Sequence, residues 1–184
     1  MKKNIILAGE KVVLRSISEE DVTQRYLDFL NDKVVTKFLD VGRKEHSIDE
    51  LKSYVKEKIS KEDCVFLAII DKKSGMHIGN VKMEPIDYDN RKAEIGIMVG
   101  DQNFWGKGYG TEAMRIAVNF CFQDLDLERV TLGVIADNIT AIKAYKKVGF
   151  VQEGVFREDV IRDGEKYDRI FMGLLRKEFH FKGG

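Results

Sequence analysis

The chain has 184 residues, a length that suits one domain with a real hydrophobic core. Hydrophobic residues make up 43% and charged residues 34%, a globular rather than disordered balance. Lysine plus arginine equals aspartate plus glutamate at 31 each. That excludes the overall basic excess of a dedicated nucleic-acid binder but leaves room for a locally basic pocket.

At the N-terminus Lys2 and Lys3 precede the apolar run Ile5-Ile6-Leu7-Ala8, but Glu10 and Lys11 follow at once. The run is too short for a signal peptide, and no stretch reaches the roughly 20 apolar residues of a membrane helix. The expectation is a soluble, cytoplasmic protein with no membrane partner. Cys64 and Cys121 lie far apart without a metal-spaced partner, so both read as small buried hydrophobes and no metal site is expected.

Lys11 to Ile17 alternates apolar and polar positions and predicts a strand. Ser18-Glu19-Glu20-Asp21 resembles a capping box that opens a helix to about Leu30, with a short turn after Asn31 and Asp32. Ser47-Ile48-Asp49-Glu50 is a second capping box; Ile48, Leu51, Tyr54, Val55 and Ile59 give the helical spacing behind it. Val65 to Ile70, Ile78 to Met83 and Ala93 to Val99 are joined by short turns and predict an antiparallel meander. Thr111 to Phe122 carries an apolar stripe of helical period. Arg129 to Ile135 reads as a strand, Asn138 to Val148 as a short helix, and Phe150 to Asp159 and Lys166 to Leu175 as a hairpin turning at Arg162-Asp163-Gly164. The sum is an α/β layered domain with a mixed sheet, spanning residues 1–184 without a linker.

Trp105-Gly106-Lys107-Gly108-Tyr109-Gly110-Thr111 lies between a strand and a helix. Alternating glycines let backbone N–H groups approach an anion, and the following helix adds its unpaired donors and positive dipole end. The expectation is a phosphate or pyrophosphate site. A Walker A loop does not match. A dinucleotide fingerprint matches literally at Gly108, Gly110 and Ala113, with Asp137 placed as a ribose-binding acid. Against it, Gly108 comes eight residues after the strand end near Gly100, and the preceding sheet reads as hairpins.

The glycine loop with its Thr111-Glu112-Ala113 continuation, followed by N-x-x-A-x-x-x-Y-x-x-x-G-F from Asn138 to Phe150, resembles the GNAT acetyltransferases. Within them it is similar to the branch of ribosomal-protein and spermidine N-acetyltransferases. The likeness runs from Leu14-Arg15 to Leu174-Leu175. It implies a single twisted, mostly antiparallel sheet of about seven strands with helices on both faces. It also implies acetyl-coenzyme A as co-substrate, no metal, and a primary amine as acceptor: a protein N-terminus, a polyamine or a nucleotide-linked amino sugar. A homodimer is compatible with it. Where the superfamily usually has Gln or Arg, this chain has Trp105, with Lys107 available to the phosphates.

The resemblance further implies that residues 106–111 wrap the pyrophosphate and that the backbone of Met98, Val99 and Gly100 pairs with the pantetheine arm. The Val99 N–H would then polarise the acetyl carbonyl. Asn138 is a helix cap by its position and a pantetheine contact by resemblance, and Lys143 stands near the ribose phosphate or is simply solvated.

An amine acceptor is mostly protonated at neutral pH, so a base is needed. Alternation puts Glu94 on one strand face with Gly96 and Met98, leaving room beside the carboxylate, which makes Glu94 the candidate base or a solvated strand residue. Glu84, His77 and Asp168 are its substitutes. Tyr145 is either core or, as the resemblance implies, the acid that protonates the departing thiolate. For the acceptor, Asp28, Asp32, Asp40, Glu45 and Asp168 are offered to a polyamine, and His77-Ile78-Gly79-Asn80 resembles acetyltransferases of nucleotide-linked amino sugars. Two rival classes stand beside this reading: a dinucleotide-dependent oxidoreductase and a non-catalytic coenzyme A-binding regulatory domain.

Overall fold

The computed structural model describes residues 4–180; Lys2 and Lys3 lie outside them. Eight strands form one sheet in the order β1-β2-β3-β4-β5-β6-β8-β7. They are β1 (Ile6–Ala8), β2 (Val12–Ser16), β3 (Val65–Asp71), β4 (His77–Asp87), β5 (Lys92–Val99), β6 (Arg129–Ile135), β7 (Val151–Arg162) and β8 (Glu165–Leu175). Only β5 and β6 run parallel; every other neighbouring pair is antiparallel. One parallel pair inside a meander is not the repeated βαβ winding of a dinucleotide fold, so the oxidoreductase reading falls. The sheet also has one strand more than expected. β1 is three residues long and pairs with β2 across the Gly9–Lys11 turn, too brief for alternation to register.

The helices are α1 (Gln24–Asn31), α2 (Ile48–Ser60), α3 (Tyr109–Gln123) and α4 (Ile139–Val148). The two faces of the sheet bury separate cores. Leu14, Leu67, Val81, Ile95, Val130 and Met172 meet α3 and α4 on one face. Phe66 and Ala68 meet Leu27, Leu30, Leu51 and Val55 of α1 and α2 on the other. Helices on both faces are as expected.

The first helix is a correction. Ser18 opens only a 3-10 turn, Glu19–Asp21. Asp21 is buried, its carboxylate clamped by the Arg15 guanidinium at 2.8 and 2.5 Å and by the Ser18 N–H at 2.9 Å. A clamped Asp21 stops the turn, and Thr23 restarts the helix as a new cap by accepting the Tyr26 N–H. The Ser47 box does cap α2 as read, with Ser47 and Glu50 bonding reciprocally.

Candidate active site

β5 and β6 share three rungs only: Lys92 with Arg129, Ala93 with Val130 and Glu94 with Thr131. Beyond Glu94 the strands part. β5 stays with β4, pairing Met98 to Asn80 and Val99 to Gly79, while β6 stays with β8 as far as Ile135 opposite Arg169. The result is a wedge-shaped opening in the middle of the sheet. The Gly100 N–H donates to the Ile78 carbonyl at 2.8 Å. An antiparallel ladder alternates, so Met98 also faces β4 and Val99 presents its N–H and C=O to the opening. Of the three residues expected to meet the cofactor arm through their backbone, the ladder therefore frees Val99; Met98 and Gly100 serve to hold it. Gly79 makes this possible, because a Cβ there would collide with the Met98 carbonyl oxygen.

The glycine loop starts from a 3-10 turn, Gln102–Phe104, capped by Asp101, whose carboxylate accepts the Asn103 N–H at 2.9 Å. Arg25 ties Asp101 to the fold: Arg25 Nη2 pairs with its carboxylate and Arg25 Nε donates to the His77 carbonyl at 2.9 Å. Gly106 and Gly108 take φ of +70° and +87°, left-handed values that a side chain resists. Nothing lies within 4 Å of where a Gly106 Cβ would stand. Gly108 is the N-cap of α3, so the first amides of that helix are turned outward beside it. The Trp105 indole N–H donates to the Val99 carbonyl at 2.7 Å, joining the loop to the edge of the opening. Lys107 folds back on the Asn103 carbonyl at 2.7 Å. Tyr109 packs edge-on against Phe104, and Thr111 is half-buried in the first helical turn.

A second ammonium at the loop belongs to Lys11, which the sequence reading placed at a strand start. Its Nζ donates to the Lys107 carbonyl at 2.9 Å and lies 3.5 Å from the Cβ position of Gly108. No local motif marks a lysine 96 residues upstream of its partner. An exposed loop with outward amides, no side chain in the way and an ammonium at its rim fits a diphosphate.

Asn138 caps α4 by accepting the Ala141 N–H at 3.2 Å, and Gly149 ends the helix at φ +119°. Tyr145 is half-buried against the α3–α4 core, with Phe150 at 6.1 Å between ring centroids. Loss of water contact pushes its phenol up to about 12. Among the described residues its hydroxyl has no hydrogen-bond partner. Lys143 is exposed on the solvent side of α4.

Glu94, Gly96 and Met98 share the α1–α2 face of the sheet, as alternation required. Glu94 is exposed, Met98 packs on that core, and the space over Gly96 is empty to 4 Å. A bulge sets Glu84 and Pro85 of β4 opposite Glu94. Burial alone would raise the Glu84 carboxyl, but Lys58, Lys82 and Lys61 at 2.7, 2.8 and 3.1 Å bring it down to about 2, too weak a base to take a proton from an amine. His77 is mostly buried against Tyr26 and Phe29, and burial lowers its pKa. Its Nε2 lies 2.9 Å from the Gly79 carbonyl, which makes Nε2 the protonated nitrogen and leaves a lone pair on the unpartnered Nδ1. Asp168 accepts the Glu158 N–H at 2.9 Å and lines an open groove of about 460 Å³ with Asp137 and Glu165, on the α3–α4 side.

The carboxylates offered to a polyamine are mostly engaged. Asp28 accepts from Gln24; Asp32 caps Val34 and accepts from Gln102; Asp40 pairs with Arg43 and Arg162. Glu45 is exposed. Cys64 and Cys121 are both fully buried, and burial pushes the Cys121 thiol up to about 12. Among the described residues no cluster of His, Cys, Asp or Glu is set to hold a metal ion, and no helix is long and apolar enough to cross a membrane.

A sheet that opens between β5 and β6, with a glycine loop leading into α3 at its mouth, is the arrangement of an acyltransferase fold. The acetyltransferase (GNAT) domain model matches residues 11–151. The chain belongs to the GNAT acetyltransferase family and is an acyltransferase. It is 28% identical over 177 residues to the prophage-derived N-acetyltransferase YokL of Bacillus subtilis, covering 96% of each chain. It is 27% identical over 173 residues to spermidine N(1)-acetyltransferase of Escherichia coli, covering 94% of this chain and 90% of that one. Spermidine N-acetyltransferase from Vibrio cholerae, solved with CoA and spermine, superposes with a TM-score of 0.82 at 25% identity, covering 91% of this chain and 97% of that one.

Proposed function

We propose that the chain works as a single cytoplasmic domain that moves an acetyl group from acetyl-coenzyme A to a primary amine, directly, within a ternary complex. The observation that carries the reading is the Val99 peptide: ladder alternation turns its N–H away from β4 toward the opening, and its carbonyl is tied through Trp105 to the glycine loop. Amides of Gly106 to Thr111, with Lys11 and Lys107 near them, would hold the diphosphate. The Val99 C=O, which accepts the Trp105 indole on one lone pair, would accept from the arm on the other, Asn138 would stand beside it, and Lys143 would meet the ribose phosphate.

The co-substrate supplies an activated thioester; the chain supplies position, charge and protons. The Val99 N–H lies where oxygen charge grows as the amine adds to the carbonyl. Glu94 takes the amine proton, directly or through water over Gly96, and three lysines neutralise the Glu84 carboxylate that the bulge sets opposite it. His77 Nδ1 is the alternative acceptor. Tyr145, protonated at every physiological pH, donates to the departing sulfur; the dry surroundings that weaken the phenol also strengthen the thiolate's hold on a proton. Two buried cysteines, one with its thiol pushed up to about 12, support transfer without a thioester on the protein.

The test is free-thiol release from acetyl-coenzyme A across amines, amino-sugar nucleotides and peptides, alongside thermal stabilisation by acetyl-coenzyme A. Stabilisation together with amine-dependent thiol release is expected. Absence of both removes the reading. Stabilisation without turnover by any amine would return the regulatory-domain reading.

A further inference from the structure

We propose that the acceptor carries a negatively charged group near its amine, a carboxylate or a phosphate, and that Arg169 reads it. This rests on the acetyltransferase reading and adds the acceptor's chemical class.

Two glycines flank the opening on the α1–α2 face, Gly96 on β5 and Gly133 on β6. Over Gly133 the near neighbour is Arg169 of β8, whose Cδ and Nη1 stand 3.2 and 3.5 Å from where a Cβ would be. Arg169 is 26% exposed. Its Nε donates to Asp159 at 2.6 Å and its Nη2 lies 4.0 Å from Asp40. Nη1 is the guanidinium nitrogen left toward the glycine floor, and among the described residues it makes no hydrogen bond. On the opposite wall Lys82 of β4 is paired across the sheet with Gly96.

Both walls carry clustered cations, and Glu94 is the carboxylate left exposed between them. Lys58, Lys61 and Lys82 share Glu57 and Glu84. Arg43, Arg162 and Arg169 share Asp40 and Asp159. A polyamine entering between them would meet the ammoniums of one wall and the guanidiniums of the other, and Asp40 is already paired with Arg43 and Arg162. An amine with an anionic neighbour meets the reverse field and a planar donor suited to carboxylate or phosphate oxygens.

The test uses matched pairs in the thiol-release assay: an α-amino acid against its carboxamide, and glucosamine 6-phosphate against glucosamine, with spermidine as the cationic comparison. The pairs separate carboxylate from phosphate. The expected result is a kcat/KM about tenfold or more higher for the charged member of at least one pair. Arg169→Gln should erase most of that preference and leave the KM for acetyl-coenzyme A within about twofold. Arg169→Lys, which keeps the charge, should give an intermediate preference and guards against a glutamine variant that fails to fold. If no amine turns over, thermal protection of the coenzyme A complex by the charged member, weakened in Arg169→Gln, decides the matter. Equal handling of both pairs, a preference that survives Arg169→Gln, or spermidine as the best acceptor overturns the proposal while leaving the acetyltransferase standing. No stabilisation by acetyl-coenzyme A and no thiol release overturns both.

Discussion

Lys11 and Glu112, 101 residues apart in the chain, join the N-terminal hairpin to the start of α3. The Glu112 carboxylate accepts the Lys11 N–H at 2.9 Å, and the Lys11 ammonium reaches back to the Lys107 carbonyl at 2.9 Å. The N-terminal hairpin is thereby fastened to the glycine loop and first turn of α3, and a Cβ on Gly9 would collide with the same carboxylate. Lys11→Met should raise the KM for acetyl-coenzyme A roughly 12- to 150-fold, the span of one lost charge-assisted contact worth about 1.5–3 kcal/mol. The effect should shrink at high salt, where the ammonium is screened. Initial rates at two ionic strengths check this.

Trp105 ties the loop to the Val99 carbonyl through its indole N–H. Trp105→Phe keeps the ring and removes the donor. A single hydrogen bond is worth about 0.5–1.5 kcal/mol, so the KM for acetyl-coenzyme A should rise about 2- to 12-fold. Trp105 is the chain's only tryptophan, so titrating wild-type protein with coenzyme A should change its fluorescence directly.

Removing the proposed acid or base should slow chemistry and spare binding. Tyr145→Phe and Glu94→Gln should each lower kcat about 10²- to 10⁴-fold, with acetyl-coenzyme A binding by calorimetry unchanged. The phenol at about 12 stays protonated across the working range. The wild-type rate should therefore rise with pH as the amine loses its proton and show no alkaline fall below about pH 10. A full pH–rate profile reads both statements.

Glu84 anchors three ammoniums, and its carboxyl falls from the ordinary 4.5 to about 2 in the folded chain. A depressed folded pKa means stability that is present above pH 4.5 and lost as pH falls towards 2. Glu84→Gln should cost about 2 kcal/mol at pH 7 by leaving the lysines unneutralised. The gap to wild type should close between about pH 4.5 and 2 in denaturant melts.

Period and capping made most of the fold legible before any coordinates. Arg129 to Ile135 is a strand to the residue, Ser47 caps α2, and the glycine loop and Asn138-to-Phe150 segment lie where their spacing put them. The misses have a common cause in distant partners. The helix read from Ser18 breaks at Val22 because Arg15, on the preceding strand, claims Asp21. β1 exists because β2 accepts it. Lys11 closes the turn before β2 and Arg169 sits in an ordinary alternating strand, and only the fold that sets Arg169 over Gly133 and Lys11 beside Gly108 shows what they touch. The base candidates show the same limit: Glu84, Glu94 and His77 look alike as titratable residues in a meander, and only the lysines around Glu84 remove it from the role.

The parting of β5 and β6 after three rungs has a consequence for how this catalyst can change. The gap is cut by backbone divergence, so its dimensions do not depend on which residues border it. On the proposed function, donor capture comes from one side, through main-chain groups backed by Lys11 and Trp105. Acceptor choice would come from the other, through exchangeable side chains on β4, β8 and the α1–α2 segment. Taste for a new amine can therefore drift or be engineered there while the thioester end is left untouched.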